Sequence, residues 1–189
     1  MDRRKIKPGF GSLVGRSLLA GALATGAAAA AAGDVFLRLD GITGESTDSK
    51  HKGEIDILSY TQSFTNNAAI SAGGGGSGRV TCGAVTVLKN IDRSSPGFIR
   101  LVTTGAHVPK GVITFRTAGE SPIEYYKVTL TDVIVTAVNQ TDSPDPGRII
   151  EQVSMLADRF QFEYTPIDAA GRPGATTKFG WDCAANRKF

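Results

Sequence analysis

The chain has 189 residues, with 21 basic and 18 acidic side chains and a formal net charge of +3. Five of the basic residues and one acid fall in residues 1–33, which leaves 16 basic and 17 acidic residues in 34–189. So balanced a body excludes a nucleic-acid footprint built on charge. Two cysteines (Cys82, Cys183) and two histidines (His51, His107) are too few for a disulfide framework or a zinc centre. They read as two buried thiols or one bridge, and a chain long enough to bury its own core favours the thiols without excluding the bridge.

Residues 1–33 have a basic start, an Ala/Gly-rich apolar run from Ser17, and Ala30-x-Ala32 before Gly33. That is the pattern of a secretory signal. The alternatives are a start placed too early, with translation beginning near Asp34, and a retained extension. As a membrane span the run is poor, because Arg16 interrupts it and alanine contributes little driving force. Stable membrane insertion is not expected, and the folded domain is assigned to 34–189.

From Asp34 onward the chain reads as β. "VFLRLDGI" places Val35, Leu37 and Leu39 on one face. "EIDILSYTQSF" begins with Ile55 and Ile57 on one parity and then moves to Leu58, Tyr60 and Phe64 on the other. Side chains alternate along a strand, so this change predicts a bend near Leu58–Ser59. "GRVTCGAVTVLKNI" is a further strand broken at Gly83. "SSPGFIRLVTTG" is a helix, with Ser95 as N-cap, Pro96 in the first turn, Gly105 as the stop, and Phe98, Leu101 and Val102 as its apolar stripe. "GVITFRTA" turns Ile113 and Phe115 inward. "EYYKVTLTDVIVTAV" carries Tyr126, Val128 and Leu130 on one face, then Val133, Val135 and Ala137 on the other, so Asp132 marks a second parity switch. "LADRFQFEYTP" alternates, with Leu156, Phe160, Phe162 and Tyr164 together, and "TKFGWDCA" closes the series. Eight to ten strands with bends and one flanking helix predict a mainly β fold, a closed antiparallel barrel or a tight sandwich.

The densest chemistry lies in "GESTDSKHKGEIDIL", with Glu45, Asp48, His51, Glu54 and Asp56. One histidine does not make a zinc site, and lysines stand where a calcium loop needs oxygen ligands. The economical reading is a solvated charged loop entering a strand, with Ile55 and Ile57 inward and Glu54 and Asp56 outward. "AGGGGSG", formed by Ala72, Gly73, Gly74, Gly75, Gly76, Ser77 and Gly78, lacks the Gly-Lys-Ser/Thr ending of a phosphate loop and reads as a mobile connection. No nucleophile elbow is present. No catalytic residue, cofactor or metal is assigned.

Several segments together resemble one family. They are "FLRLDGITGES…KHKGEIDIL", the Gly-rich stretch before "GRV", "DRSSPGFIRLVTTGAHVPKGVITFRTAG", "IEYYKVTLTDVIVTAV" and "FGWDCAAN". In this order, over about 34–186, they resemble Hcp, the haemolysin-coregulated tube protein of type VI secretion systems. The resemblance implies a closed β-barrel with one flanking helix. It implies hexameric rings that stack into a tube, a surrounding sheath and a spike as partners, and effector proteins carried in the lumen. It implies no enzymatic activity, and release from the cell through the type VI apparatus after cytoplasmic assembly. By the same resemblance Ala72–Gly78 is assigned to ring stacking. Thr61 matches the family's lumen-facing serine, and Ser59 and Ser63 share its parity. Glu45, Asp48, His51 and Glu54 form a second candidate interface. Gln62 stands where the family commonly has an aromatic residue.

The signal-like leader is outside that pattern. It supports a rival function, an exported periplasmic or secreted binding protein that reuses the barrel. A third reading, a hydrolase built on the acids around His51, rests on composition alone.

Overall fold

The computed structural model describes residues 33–67, 78–142 and 148–189. The leader expectation therefore lies outside the described residues, except for Gly33. The fold is mainly β, with eleven strands and one helix among the described residues. In chain order the strands are β1 (Val35–Leu39), β2 (Ile55–Ile57), β3 (Ser59–Thr61), β4 (Phe64–Asn66), β5 (Val80–Cys82), β6 (Val85–Asn90), β7 (His107–Arg116), β8 (Glu124–Asp142), β9 (Ile149–Tyr164), β10 (Thr177–Asp182) and β11 (Arg187–Lys188). The helix α1 (Ser95–Thr104) lies between β6 and β7.

All strand pairs are antiparallel. The main sheet runs β11-β10-β9-β8-β7-β1-β2, with β6 joining both β9 and β3. β4 and β5 form a separate two-stranded sheet. β8 and β9 are long, at 19 and 16 residues, so the sheet is not built from short strands throughout.

Both predicted parity switches are present, and the sequence concealed two more. In β8 the buried residues pass from Val128 and Leu130 to Val133 and Val135, and Asp132 between them has a positive φ of 54°. That left-handed backbone is uncommon for a residue with a side chain and is best tolerated by Asp, Asn and Gly. In β9 the buried set passes from Val153, Met155 and Ala157 to Phe160, and the register sets Thr131 opposite Arg159 and Val133 opposite Ala157. Leu156 therefore does not share a face with Phe160, and it is 40% exposed. In β7, Val108 faces the same core as Ile113, although the step of five positions between them is odd. The three strands turn over at one level, marked by Pro109, Asp132 and Asp158.

Three smaller expectations change. Leu58 ends β2 as an exposed kink, at 56% exposure, while Tyr60 packs against the core. A register shift between Val135 and Ala137 inserts an extra residue, so Val138 rather than Ala137 reaches the core. Phe64 is 41% exposed, yet its ring packs edge-on against Phe160 and Phe162 at 5.3 and 5.6 Å.

The helix packs through Phe98 and Leu101, both buried, with Val102 beside them, and it stops at Gly105, whose φ is 64°. Its N-cap is Ser94 rather than Ser95. The Ser95 hydroxyl is committed elsewhere: it accepts a hydrogen bond from Lys89 Nζ at 3.0 Å. Lys89 is fully buried, and its ammonium also donates to the Asn90 carbonyl at 2.8 Å and pairs with Asp92 at 2.8 Å and Glu151 at 3.3 Å. The other Glu151 oxygen accepts from Gln140 Nε2 at 2.8 Å. This network pins the start of α1 to β6 and β9. Removing one partner of a buried pair strands the other charge. Lys89→Met is therefore expected to cost about 3–5 kcal/mol in urea denaturation, and adding Glu151→Leu should recover part of that loss. A single substitution without measurable effect would show that the network does not hold the helix.

Candidate functional site

The charged loop that follows β1 is a packed cover, not a solvated turn. Residues 44–54 are closed by Gly44 N–H to the Gly53 carbonyl at 2.8 Å, Ser46 N–H to the Glu54 carbonyl at 3.0 Å, and Gly53 N–H to the Ser46 carbonyl at 2.8 Å. At Gly44 a Cβ would stand 2.3 Å from the Glu54 carbonyl oxygen, so only glycine permits this approach. The loop buries one face of Phe36, a residue outside the main core cluster. The His51 ring stacks on Phe36 at 4.2 Å with 7° between planes, and the Arg116 guanidinium lies 5.0 Å from the same ring. His51 is only 5% exposed.

The acidic groups and His51 of this cover have partners. Arg116 Nη2 donates to Asp34 at 2.8 Å and to Asp48 at 2.7 Å. Asp48 also accepts the backbone N–H groups of Lys50 and His51. His51 Nδ1 lies 2.9 Å from Glu54, and Nε2 lies 3.6 Å from Glu124. Glu45 stands apart, where its carboxylate accepts the Arg93 N–H at 3.2 Å. Of Glu45, Asp48, His51 and Glu54, the fold thus brings three together, and it uses them to close a loop. Among the described residues no group of three or more His, Cys, Asp or Glu side chains is arranged to hold a metal ion.

The hydroxyl residues lie on the opposite side of the sheet from the core. Ser59 and Thr61 on β3 and Ser63 beyond it are exposed. In register they continue into Leu88 and Thr86 on β6, then Gln152 and Ser154 on β9. Thr86 and Ser154 share a hydroxyl hydrogen bond at 3.1 Å. This face is uncharged at each of these positions. Gln62 accepts from the Tyr60 hydroxyl, and burial raises the Tyr60 phenol pKa. Of the Gly-rich stretch, Ala72–Ser77 lies outside the described residues and Gly78 leads into β5.

Two features escaped the sequence reading. The first is a ledge. Phe179 and Trp181 on β10 sit opposite Phe162 and Phe160, so they share the core-side face of the sheet, but β10 lies at its margin. Phe179, Tyr164 and the terminal Phe189 are 51%, 51% and 63% exposed. The alternation of β9 would have revealed this, had β10 been set beside it in register. The second is a disulfide between Cys82 and Cys183, which decides for the bridge against the favoured reading of two buried thiols. It crosses the place where β9 changes partner: β6 ends at Met155, and β10 begins at Arg159. Next to it His107 Nδ1 lies 2.7 Å from Asp132, which holds that carboxyl below its ordinary pKa, while burial and the neighbouring Asp132 raise the Asp158 carboxyl.

The family model for the type VI secretion system effector Hcp matches residues 36–169. Protein hcp1 of Pseudomonas aeruginosa is 33% identical over 156 residues, covering 81% of this chain and 96% of the relative. The chain belongs to the Hcp family. A crystal structure of Hcp1 from Salmonella typhimurium aligns at a TM-score of 0.71 with 34% identity, covering 84% of this Hcp-family chain and 99% of the other. A structure of a type six secretion system protein aligns at 0.78 with 25% identity, covering 84% of this chain and 100% of the other. The family is one of structural proteins secreted through type VI systems, and this chain is a type VI secretion tube protein.

The cover has a pH signature. Hydrogen bonds from Arg116, then from the Lys50 and His51 backbones, lower the Asp48 pKa from 3.8 to about 2. A carboxyl lowered in the folded state stabilises above its unfolded pKa and loses that contribution as the pH falls through its folded value. Between pH 4 and pH 2 the protein should therefore lose more stability than its Asp48→Asn variant, read as the shift in urea midpoint. Equal losses would show that the Asp48–Arg116 pair contributes nothing to folding.

Proposed function

We propose that six copies of this tube protein close into a ring, that rings stack into the inner tube of a type VI apparatus, and that effector proteins travel in its lumen. The ledge carries this reading. A ring of identical subunits needs two unlike patches, one meeting the other on the neighbour. Phe179 and Tyr164 form an exposed apolar edge continuous with the core face, while Phe189 packs over Gly180 on the other face of β10, and large exposed apolar patches mark association surfaces. The uncharged face of Ser59, Thr61, Thr86, Gln152 and Ser154 suits a lumen that holds passengers without clamping them. The loop cover and the Gly-rich segment Ala72–Gly78 are the proposed contacts between rings, and a sheath and spike are the remaining partners. Membrane insertion has no support from a helix: none among the described residues is long and apolar enough to cross a bilayer.

Each subunit is a barrel in this reading. β2 pairs with β1, β3 pairs with β6, and the kink between them is bridged by Leu58 N–H to the Leu88 carbonyl at 2.7 Å. Followed through β9, β8 and β7 back to β1, with the chain itself carrying β2 into β3, these pairings support a closed circuit. The role is structural rather than catalytic, in keeping with a cover whose His51, Asp48 and Glu54 are engaged in closing the loop.

One observation favours a second reading, export to the periplasm as a binding protein. Disulfides persist in oxidising compartments, and the leader has the pattern of a secretory signal. Light scattering on the full chain separates the two: six times the protomer mass supports the tube, and a monomer at high concentration supports the exported protein. On the tube reading, Phe179→Lys should weaken ring formation by at least tenfold in protein concentration while leaving the thermal midpoint nearly unchanged. A ring that forms as readily in the Phe179→Lys variant would show that the ledge is not the contact.

A further inference from the structure

We infer that Cys82 and Cys183 are a reversible thiol–disulfide modification site that fastens the β4–β5 hairpin to the C-terminal hairpin. β9 leaves β6 at Met155 and takes up β10 at Arg159. The β9 edge between them, Leu156 to Asp158, therefore faces a fork with no strand in it. Cys82 stands just before β6 and Cys183 just after β10, so the bond joins the two prongs. The other ties across the fork are few. Cys183 N–H donates to the Asp158 carbonyl at 2.8 Å, and Val80 N–H donates to Asn186 Oδ1 at 3.0 Å.

Among the described residues β4–β5 is a separate two-stranded sheet that prolongs the β3–β6 pairing past a change of register. An isolated two-stranded hairpin is marginal in water. Beyond its run-on from β3 and into β6, this hairpin is held among the described residues by Phe64 against Phe160 and Phe162 and by the Asn186 bond. A covalent bond spanning 101 residues then decides whether the hairpin stays in place. Reagents can reach it. Both cysteines line an open groove with Arg79, Thr81, His107 and Ala184, and neither is fully buried.

The chemistry balances with a small disulfide as co-reactant. Each thiol loses one proton and one electron as the S–S bond forms. Glutathione disulfide accepts both electrons and both protons, its own S–S bond breaks, and two glutathione thiols leave. Excess thiol reverses the exchange.

The site has a consequence for assembly, which rests on the ring reading. Trp181, Phe179 and Phe189 belong to the same C-terminal hairpin, so loosening that hairpin loosens the ledge. A contact surface that must be ordered on association binds more weakly.

Hydrogen exchange on the full chain tests the site without reference to rings. The chain is equilibrated with glutathione disulfide or with a phosphine reductant, and the Cys82→Ala/Cys183→Ala variant is measured beside them. On reduction, and equally in the variant, amides of 64–66, 80–82 and 183–189 should exchange at least tenfold faster, while those of β8 stay within twofold. Alkylation followed by mass spectrometry should find no labelled cysteine after oxidation and two after reduction. Unchanged hairpin exchange would overturn the inference. So would faster exchange throughout β8, which makes the bond a general staple, or free thiols that persist in glutathione disulfide. Sedimentation of the same samples adds the assembly arm. If the hairpin loosens and rings persist, the modification site stands and the ledge link fails. If neither state forms rings, the ring reading fails and the exchange result is untouched.

Discussion

The fold depends on one constraint: β7, β8 and β9 must change their buried face at the same level. Side chains alternate along a strand, so a strand that kept one parity from end to end would present a single flat surface. Here the long strands face the core on both sides of a bend, because Asp132 adopts a left-handed backbone and Pro109 and Asp158 flank it. Neighbouring strands in register cannot switch separately without turning an apolar series toward water. The bend is therefore a property of the sheet, not of one strand. On one side of it Val133, Val135, Val153 and Met155 build the core, and on the other Val128, Leu130 and Phe160 continue it.

The features relevant to association follow from that bend. β9 trades β6 for β10 where its parity changes, which opens a fork and sends β10 to the margin of the sheet with its aromatic face only partly covered. The fork is bridged by the disulfide, and the aromatic margin becomes the ledge. On the far side of β1 and β7 the charged loop covers Phe36 with His51 and Arg116, which lets a thin β structure bury side chains on both faces locally. The buried Lys89–Glu151 pair fixes the helix against β6 and β9. Such a pair adds little net stability over an apolar equivalent but penalises any other docking of α1.

The β class, the helix with its glycine stop, and the switch at Asp132 were legible because each has a local signature. The switch at Asp158 was not. Leu156, Phe160, Phe162 and Tyr164 form an apolar series of one parity interrupted only at Asp158, and small Ala157, the residue that in fact faces the core, leaves no trace in a hydrophobic pattern. His51 looked solvated because its neighbours in sequence are charged, whereas its burial comes from Phe36, distant along the chain. The Cys82–Cys183 bond depends on a fork that no linear reading contains. The family itself was legible from the order of several segments along the chain.

Thiol labelling of single cysteines placed along β8 tests the shared bend most directly. Cysteine at Leu130 and at Val133 should both resist labelling in the folded chain, while cysteine at Thr131 and Thr136 should react readily. A protected position at 134 together with a reactive one at 133 would mean that β8 alternates without interruption, and the bend, the fork and the ledge would lose their common origin.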